Sequence, residues 1–284
     1  MKIHIAKTIG YCFGVDRAVN AVNDLLSKNR KVCTLGPIIH NPKIIKEFED
    51  KGVKIIDHPS QVPNGYILVI RAHGTTKENL EYMEQNNIDF VDATCPFVKK
   101  IHRIVEKNSD KKDFLLISGN SNHPEVIGIK SFFNKNVFIF DDVKSLNEIL
   151  DNNPEFSNKS GFVVSQTTFS KEKWTKYIKL LKKQLKKLEV FDTICKTTCL
   201  RQSEAEEMSK KSDLMIVIGG KNSSNTTKLY EICSKNTNTI LVENEADLPS
   251  DDISNKFDNV GIISGASTPL NIVEKICTKL KESD

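Results

Sequence analysis

The chain has 284 residues, 38% of them hydrophobic and 27% charged, with a net charge of +4. That is material for one large core or two or three small ones, and too slight a positive balance to indicate a nucleic-acid partner. No run approaches the ~18 apolar residues of a membrane span. The opening Met-Lys-Ile-His-Ile-Ala is too short and too strand-like for a signal or transit peptide, so a cytoplasmic protein is expected.

Taken in order, the chain reads as one pattern met three times. The strand Ile3–Ala6 runs into Gly-Tyr-Cys12-Phe-Gly, and Val15, Ala18, Val19, Val22 and Leu26 then mark one face of a helix. The strand Val32–Leu35 opens onto Gly36-Pro-Ile-Ile-His40-Asn, with a short helix around Ile44–Glu49 and a strand at Val53–Ile56. Tyr66–Ile70 opens onto Arg-Ala-His73-Gly, and Phe90–Val91 leads into Asp-Ala-Thr-Cys95-Pro. The second pass has a helix over Phe97–Lys107 and the strand Phe114–Ile117. Its loop is Gly119-Asn-Ser-Asn-His123-Pro-Glu125, and a strand follows at Val137–Phe140. Gly161–Val164 then opens onto Ser-Gln-Thr167-Thr168. In the Lys-rich stretch Lys179–Lys187, Leu180, Leu181, Leu185 and Leu188 fall at helical spacing and read as an amphipathic helix with a solvated face. Leu188–Phe191 delivers Asp-Thr-Ile-Cys195. The third pass has a helix over Arg201–Lys211, the strand Leu214–Ile218 and the loop Gly219-Gly-Lys-Asn-Ser223-Ser224-Asn225. Strands follow at Thr239–Val242 and Val260–Ile263, then Ser-Gly-Ala-Ser267-Thr-Pro and a terminal helix over Leu270–Leu280. Polar stretches at Asp57–Asn64, Asp151–Ser160 and Asp247–Asp258 occupy equivalent places.

Each of Cys12, Cys95 and Cys195 stands 24 residues before a glycine (Gly36, Gly119, Gly219), and four residues past each glycine is a polar side chain: His40, His123 and Ser223. A fixed register of this kind marks an internal repeat. Strand–loop–helix alternation predicts α/β units with mostly parallel sheets. The expected division is 13–95, 96–194 and 195–284, with the N-terminal strand of 1–12 joining the third repeat. Ligands of such units gather at the carboxyl ends of strands, where the polar clusters fall.

Seven cysteines without a disulfide framework read as reduced thiols. Three of them in equal register, each opening a helix whose dipole favours thiolate, could hold a cubane iron–sulfur cluster with one iron open, or a catalytic zinc. Cys33, Cys233 and Cys277 read as packing, and Cys199 as support behind the ligand cysteines or incidental, with a fourth-ligand role the lesser alternative. The hydroxyl, amide and imidazole groups of the loops form a candidate anion pocket, better suited to a diphosphate than to a carboxylate. Walker and Gly-x-Gly-x-x-Gly loops are absent. Glu125 is the carboxylate inside these loops and the candidate proton donor.

With these residues the chain resembles the LytB (IspH) family of hydroxymethylbutenyl diphosphate reductases. The likeness rests on Gly-Tyr-Cys12-Phe-Gly-Val, Gly-Pro-Ile-Ile-His40-Asn, Arg-Ala-His73-Gly, Asp-Ala-Thr-Cys95-Pro and Asn-His123-Pro-Glu125-Val. Gln-Thr167-Thr168, Asp-Thr-Ile-Cys195, Ser223-Ser224-Asn225-Thr and Gly-Ala-Ser267-Thr-Pro complete it. The resemblance implies three similar α/β domains in pseudo-threefold arrangement around a 4Fe–4S cluster held by Cys12, Cys95 and Cys195, with one open iron. It implies a substrate diphosphate held by His40, His73, His123, Thr168, Ser223, Ser224, Asn225 and Ser267. Thr167 and Glu125 would supply hydrogen bonds and protons as two electrons remove the substrate hydroxyl as water. Ferredoxin or flavodoxin is the implied electron donor. Cys199 departs from the family pattern, which carries Thr or a variable residue there.

Overall fold

A computed structural model of the chain describes residues 1–249 and 253–282. Of the polar stretch expected at Asp247–Asp258, residues 250–252 lie outside the described residues, as do 283 and 284.

The first pass of the chain comprises β1 (Lys2–Ile5), α1 (Phe13–Ser27), β2 (Lys31–Leu35), α2 (Pro42–Asp50), β3 (Lys54–Ile56), β4 (Tyr66–Ile70), α3 (Lys77–Gln85) and β5 (Phe90–Asp92). The second comprises α4 (Pro96–Asn108), β6 (Phe114–Ser118), α5 (Pro124–Ser131), β7 (Asn136–Phe140), α6 (Val143–Asn152), β8 (Gly161–Ser165), α7 (Lys171–Gln184) and β9 (Leu188–Val190). The third comprises α8 (Lys196–Ser209), β10 (Leu214–Ile218), α9 (Ser224–Cys233), β11 (Asn238–Val242), α10 (Ile253–Lys256), β12 (Asn259–Ser264) and α11 (Leu270–Glu282).

Among the described residues the strands form three parallel four-stranded sheets, ordered β3-β2-β4-β5, β7-β6-β8-β9 and β11-β10-β12-β1. Numbered from β2, β6 and β10, all three have the order second, first, third, fourth. The fourth place of the third sheet is taken by β1, which pairs with β12 in the register Lys2↔Asn259 to Ile5↔Ile262. The central strands β6, β8 and β10 are buried at every position. Apolar runs such as Leu-Met-Ile-Val-Ile are what a parallel strand covered on both faces requires.

The chain separates into two compact units. One comprises Met1–Asp16, Ile39–Glu47 and Lys196–Asp284, and the other Arg17–Ile38 and Phe48–Cys195. The core of the first packs Ile216, Ile218, Val260 and Ile262 against Ile272, Val273 and Ile276 of α11. In the second, Leu115, Ile117, Phe162 and Val164 pack against Ile101 and Val105 of α4 and Val126 and Ile129 of α5.

The Lys-rich helix departs from expectation. Trp174, Tyr177 and Leu181 are its buried face, but α7 ends at Gln184, with Leu185 extended at the C-cap (φ −117°, ψ 95°). Leu188 does not continue the helical stripe. It opens β9, the strand expected at Leu188–Phe191, and pairs with Gly161 of β8, where the ladder satisfies its backbone.

Gly161 shows how tightly this core is filled. A Cβ at Gly161 would overlap the ring of Phe114, which is stacked on Phe156 at 3.9 Å between centroids. Gly161→Ala is expected to destabilise the protein by about 1–3 kcal/mol through overpacking. The check is the denaturant midpoint at unchanged m-value, and an unaltered midpoint would show that the Phe114–Phe156 stack yields freely.

Candidate active site: cysteine turns and strand-end loops

The three cysteines in register share one local construction. Each follows a strand end and immediately precedes a helix: Cys12 before α1, Cys95 at the N-cap of α4, Cys195 before α8. Each donates its backbone N–H to the loop at the end of a neighbouring strand: Cys12 to Ala266 O at 3.1 Å, Cys95 to Ala72 O at 3.0 Å and Cys195 to Thr167 O at 2.9 Å. Those acceptor loops carry Ser267, His73 and Thr167. Sequence spacing thus becomes geometry: a cysteine turn and a polar loop tip are tied by one backbone bond, three times over.

All seven cysteines are outside disulfides, and Cys12, Cys95, Cys195 and Cys199 are partly exposed. Cys33, Cys233 and Cys277 are buried in packing, as their positions on β2, α9 and α11 suggested. Burial pushes the Cys33 thiol up to about 11 and the Cys233 thiol up to about 12. Those two are neutral thiols across the physiological range and poor ligands.

In the unit of Arg17–Ile38 and Phe48–Cys195, the loops around Cys95 and Cys195 hold His73, His123, Glu125, Thr167 and Thr168. Pro124 at the first position of α5 fixes the turn and makes His123 the N-cap. His123 Nδ1 accepts the Glu125 N–H at 3.2 Å. An accepting Nδ1 leaves Nε2 as the ring's N–H donor. The His73 ring meets that of His123 edge-on, centroids 5.3 Å apart at 86°. Glu125, in the first turn of α5, is 1% exposed. Its Oε1 accepts the Thr167 N–H at 2.6 Å and its Oε2 accepts the Thr167 hydroxyl at 2.7 Å. Burial pushes the carboxyl up to about 7, against the opposing pull of the two Thr167 bonds. Gln166 braces the same loop, its Nε2 donating to Thr168 Oγ1 at 3.0 Å and its Oε1 accepting the Asn120 N–H at 3.2 Å.

In the unit of Met1–Asp16, Ile39–Glu47 and Lys196–Asp284, the loops hold Cys12, His40, Ser223, Ser224, Asn225 and Ser267. Ser223 caps α9, its hydroxyl accepting the Thr226 N–H. The Gly219-Gly220 turn passes so close to the chain at His40 that a Cβ at Gly220 would lie 2.6 Å from the His40 carbonyl oxygen. Ser267 Oγ donates to that same carbonyl at 3.4 Å, and Asn41 Nδ2 donates to Ser267 O at 3.2 Å. Asn225 is 3% exposed, and among the described residues neither its amide oxygen nor its amide nitrogen has a hydrogen-bond partner. A buried amide with both ends unpaired is costly in a folded protein.

Three supporting residues were not singled out from sequence. Arg17 donates to Thr94 O at 2.8 Å and Asp92 O at 3.1 Å, pinning the turn into Cys95. Asn41 ties the His40 loop to Ser267. Arg201, read only as the start of a helix, is 2% exposed, with its guanidinium on the carbonyls of Gly10 and Ser264. A long cation six residues after a ligand-type cysteine is the only sequence signal for it, and it looks like any helix-surface arginine until the burial is known. No helix among the described residues is long and apolar enough to cross a membrane.

Residues 3–281 match the family model described as LytB protein. The chain is 41% identical to the 4-hydroxy-3-methylbut-2-enyl diphosphate reductase of Caldanaerobacter subterraneus subsp. tengcongensis, over 99% of this chain and 97% of that one. It is 42% identical to the reductase of the same name from Campylobacter hominis, over 99% and 98%. The solved structure of an (E)-4-hydroxy-3-methyl-but-2-enyl diphosphate reductase, described as the terminal enzyme of the non-mevalonate pathway, aligns with a TM-score of 0.70 at 33% identity, covering 99% of this chain and 100% of that one. The corresponding reductase from Plasmodium falciparum aligns with a TM-score of 0.89 at 30% identity, covering 97% and 86%.

Proposed function

The chain belongs to the LytB family, and on that premise we propose how its residues carry out the family's reaction. It is an oxidoreductase of isoprenoid biosynthesis that reduces 4-hydroxy-3-methylbut-2-enyl diphosphate in the terminal step of the non-mevalonate pathway. Its products are isopentenyl and dimethylallyl diphosphate, and its repeats are 13–95, 96–194 and 195–284, the last completed by the strand of 1–12.

Cys12, Cys95 and Cys195 hold a 4Fe–4S cluster with one iron open. The donor set fits that group: three partly exposed thiols at helix N-termini, each with its N–H tied to a strand-end loop, while Cys33 and Cys233 are held neutral by burial. Bound there, the cluster supplies electrons and a Lewis-acidic iron for the departing oxygen. The electrons come from a ferredoxin or flavodoxin, and the setting is the cytoplasm, where thiols stay reduced.

The remaining work belongs to the protein. His123 Nε2, the N–H end of an imidazole whose Nδ1 is engaged, donates to the diphosphate together with His40 and His73. The loop tips add Thr168, Ser223, Ser224, Asn225 and Ser267, and the first turns of α5 and α9 add the partial positive charge of helix N-termini. Holding the remote diphosphate converts binding into orientation of the reacting carbon. Glu125 and Thr167 move the protons: a carboxyl titrating near 7 is protonated in a useful fraction at neutral pH and lies 2.7 Å from the Thr167 hydroxyl. The observation that carries the reading is this buried pair, with the carbonyl of the same Thr167 accepting the N–H of Cys195.

The test is anaerobic oxidation of a reduced viologen by cluster-reconstituted protein on adding 4-hydroxy-3-methylbut-2-enyl diphosphate. Substrate-dependent oxidation is expected in the parent and should fall to background in Cys95→Ser. A Cys95→Ser protein that binds the cluster and turns over at the parent's rate would remove Cys95 from the ligand set.

A further inference from the structure

Arg201 is the most deeply buried permanent charge among the described residues, at 2% exposure on α8. Its Nη1 donates to Ser264 O at 2.5 Å and its Nη2 to Gly10 O at 2.7 Å, while Nε has no partner among the described residues. Gly10 is held from its other side as well, its N–H donating to Ser264 Oγ at 3.0 Å. The arginine and Ser264 therefore clamp the peptide two residues before Cys12. Two carbonyls solvate a guanidinium, but they do not neutralise it.

A buried cation needs a counter-charge. Among the described residues no carboxylate pairs with Arg201. Glu204, one turn along α8, has its carboxylate committed to the backbone N–H groups of Lys7 and Thr8 and to the Thr8 hydroxyl. Burial works against the arginine's charge; Cys12 offsets that burial most, and Glu204 next. Guanidinium keeps its proton even under strong burial, so this positive charge is fixed at every working pH.

We propose that Arg201 is the built-in counter-ion of the Cys12 thiolate and of the cluster that thiolate ligates, a positioning residue that sets the Gly10–Cys12 turn and raises the cluster's reduction potential. This rests on the cluster reading above. Each electron added to the cluster adds negative charge, and a fixed cation in a low-dielectric surrounding favours the reduced state. Removing the cation while keeping the fold therefore shifts the midpoint to more negative values.

The experiment compares the parent, Arg201→Lys and Arg201→Gln after anaerobic reconstitution. Cluster content comes from iron and sulfide analysis, and the midpoint from a dithionite titration followed by electron paramagnetic resonance. Folding of each apo protein is read by circular dichroism. If the parent itself takes up no cluster, the functional reading fails before Arg201 is tested. With a loaded parent, the expected result is a midpoint near the parent's in Arg201→Lys and a more negative one in Arg201→Gln. A midpoint unchanged in loaded Arg201→Gln overturns the proposal. If Arg201→Gln does not load, a folded apo form together with a loading Arg201→Lys supports the counter-ion role. An unfolded apo Arg201→Gln, or a failure of both variants to load, assigns Arg201 to a purely structural clamp and overturns it.

Discussion

Glu125→Gln is expected to lower turnover by about 10²–10⁴-fold, the usual range of a general-acid contribution, while cluster content stays at the parent's level. The substitution keeps the shape of the pair. Gln Oε1 can accept the Thr167 N–H that Glu125 Oε1 accepts at 2.6 Å, and its amide can donate to the Thr167 hydroxyl in place of the 2.7 Å bond to Oε2. What is lost is a transferable proton. The pH profile separates this from a general disturbance. With the carboxyl pushed up to about 7, the parent's turnover should decline as pH rises through about 7, and the residual activity of Glu125→Gln should be flat there. The stability linkage has the same sign. Between the ordinary value of 4.5 and about 7 the folded protein holds a proton that the unfolded chain has released. Stability contributed by this neutral carboxyl is complete below 4.5 and is lost as pH rises through the folded value, a loss of about 3 kcal/mol in all. Glu125→Gln has no such loss, so it should match the parent near pH 5 and be the more stable protein near pH 8. Parent-like turnover in a loaded Glu125→Gln protein would take Glu125 out of the proton route.

The repeat was legible because it is written in backbone terms. Cysteines 24 residues before a glycine, and apolar runs of strand length, specify local turns and buried parallel strands, and the sheets carry the same order. Spacing also pointed to Glu125 as the one carboxylate among the loops. Its partner Thr167, 42 residues away, came from the family resemblance and not from spacing, and the fold brings that hydroxyl to the carboxylate. Leu188 fit two readings, the helical stripe of the Lys-rich stretch and the strand Leu188–Phe191, because apolar periodicity continues past a helix end whenever the next strand also needs an apolar residue; the strand is the one that forms. Arg201 was hidden for a different reason. Charge on a helix is by default solvated, and burial of an arginine depends on carbonyls at Gly10 and Ser264, 191 and 63 residues distant.

Asn225 provides the sharpest separation between holding the fold and holding the substrate. Its amide is 3% exposed and, among the described residues, neither end is hydrogen-bonded, so in the free protein it contributes a desolvation cost and little else. Asn225→Ala removes that cost along with some packing. The two changes oppose each other, and stability should stay within about 1 kcal/mol of the parent's. Substrate affinity should fall by about 10–100-fold, since a hydrogen bond to a charged group is worth about 1.5–3 kcal/mol. Ser223→Ala makes the contrast. The Ser223 hydroxyl accepts the Thr226 N–H at the start of α9, and losing an N-cap costs about 0.5–2 kcal/mol. That variant should lose stability and affinity together, whereas Asn225→Ala should lose affinity alone. Titration calorimetry with the diphosphate substrate and thermal melts of the free proteins read the two axes separately. An Asn225→Ala protein that melts as early as Ser223→Ala yet binds as tightly as the parent would assign Asn225 to the fold and not to the diphosphate.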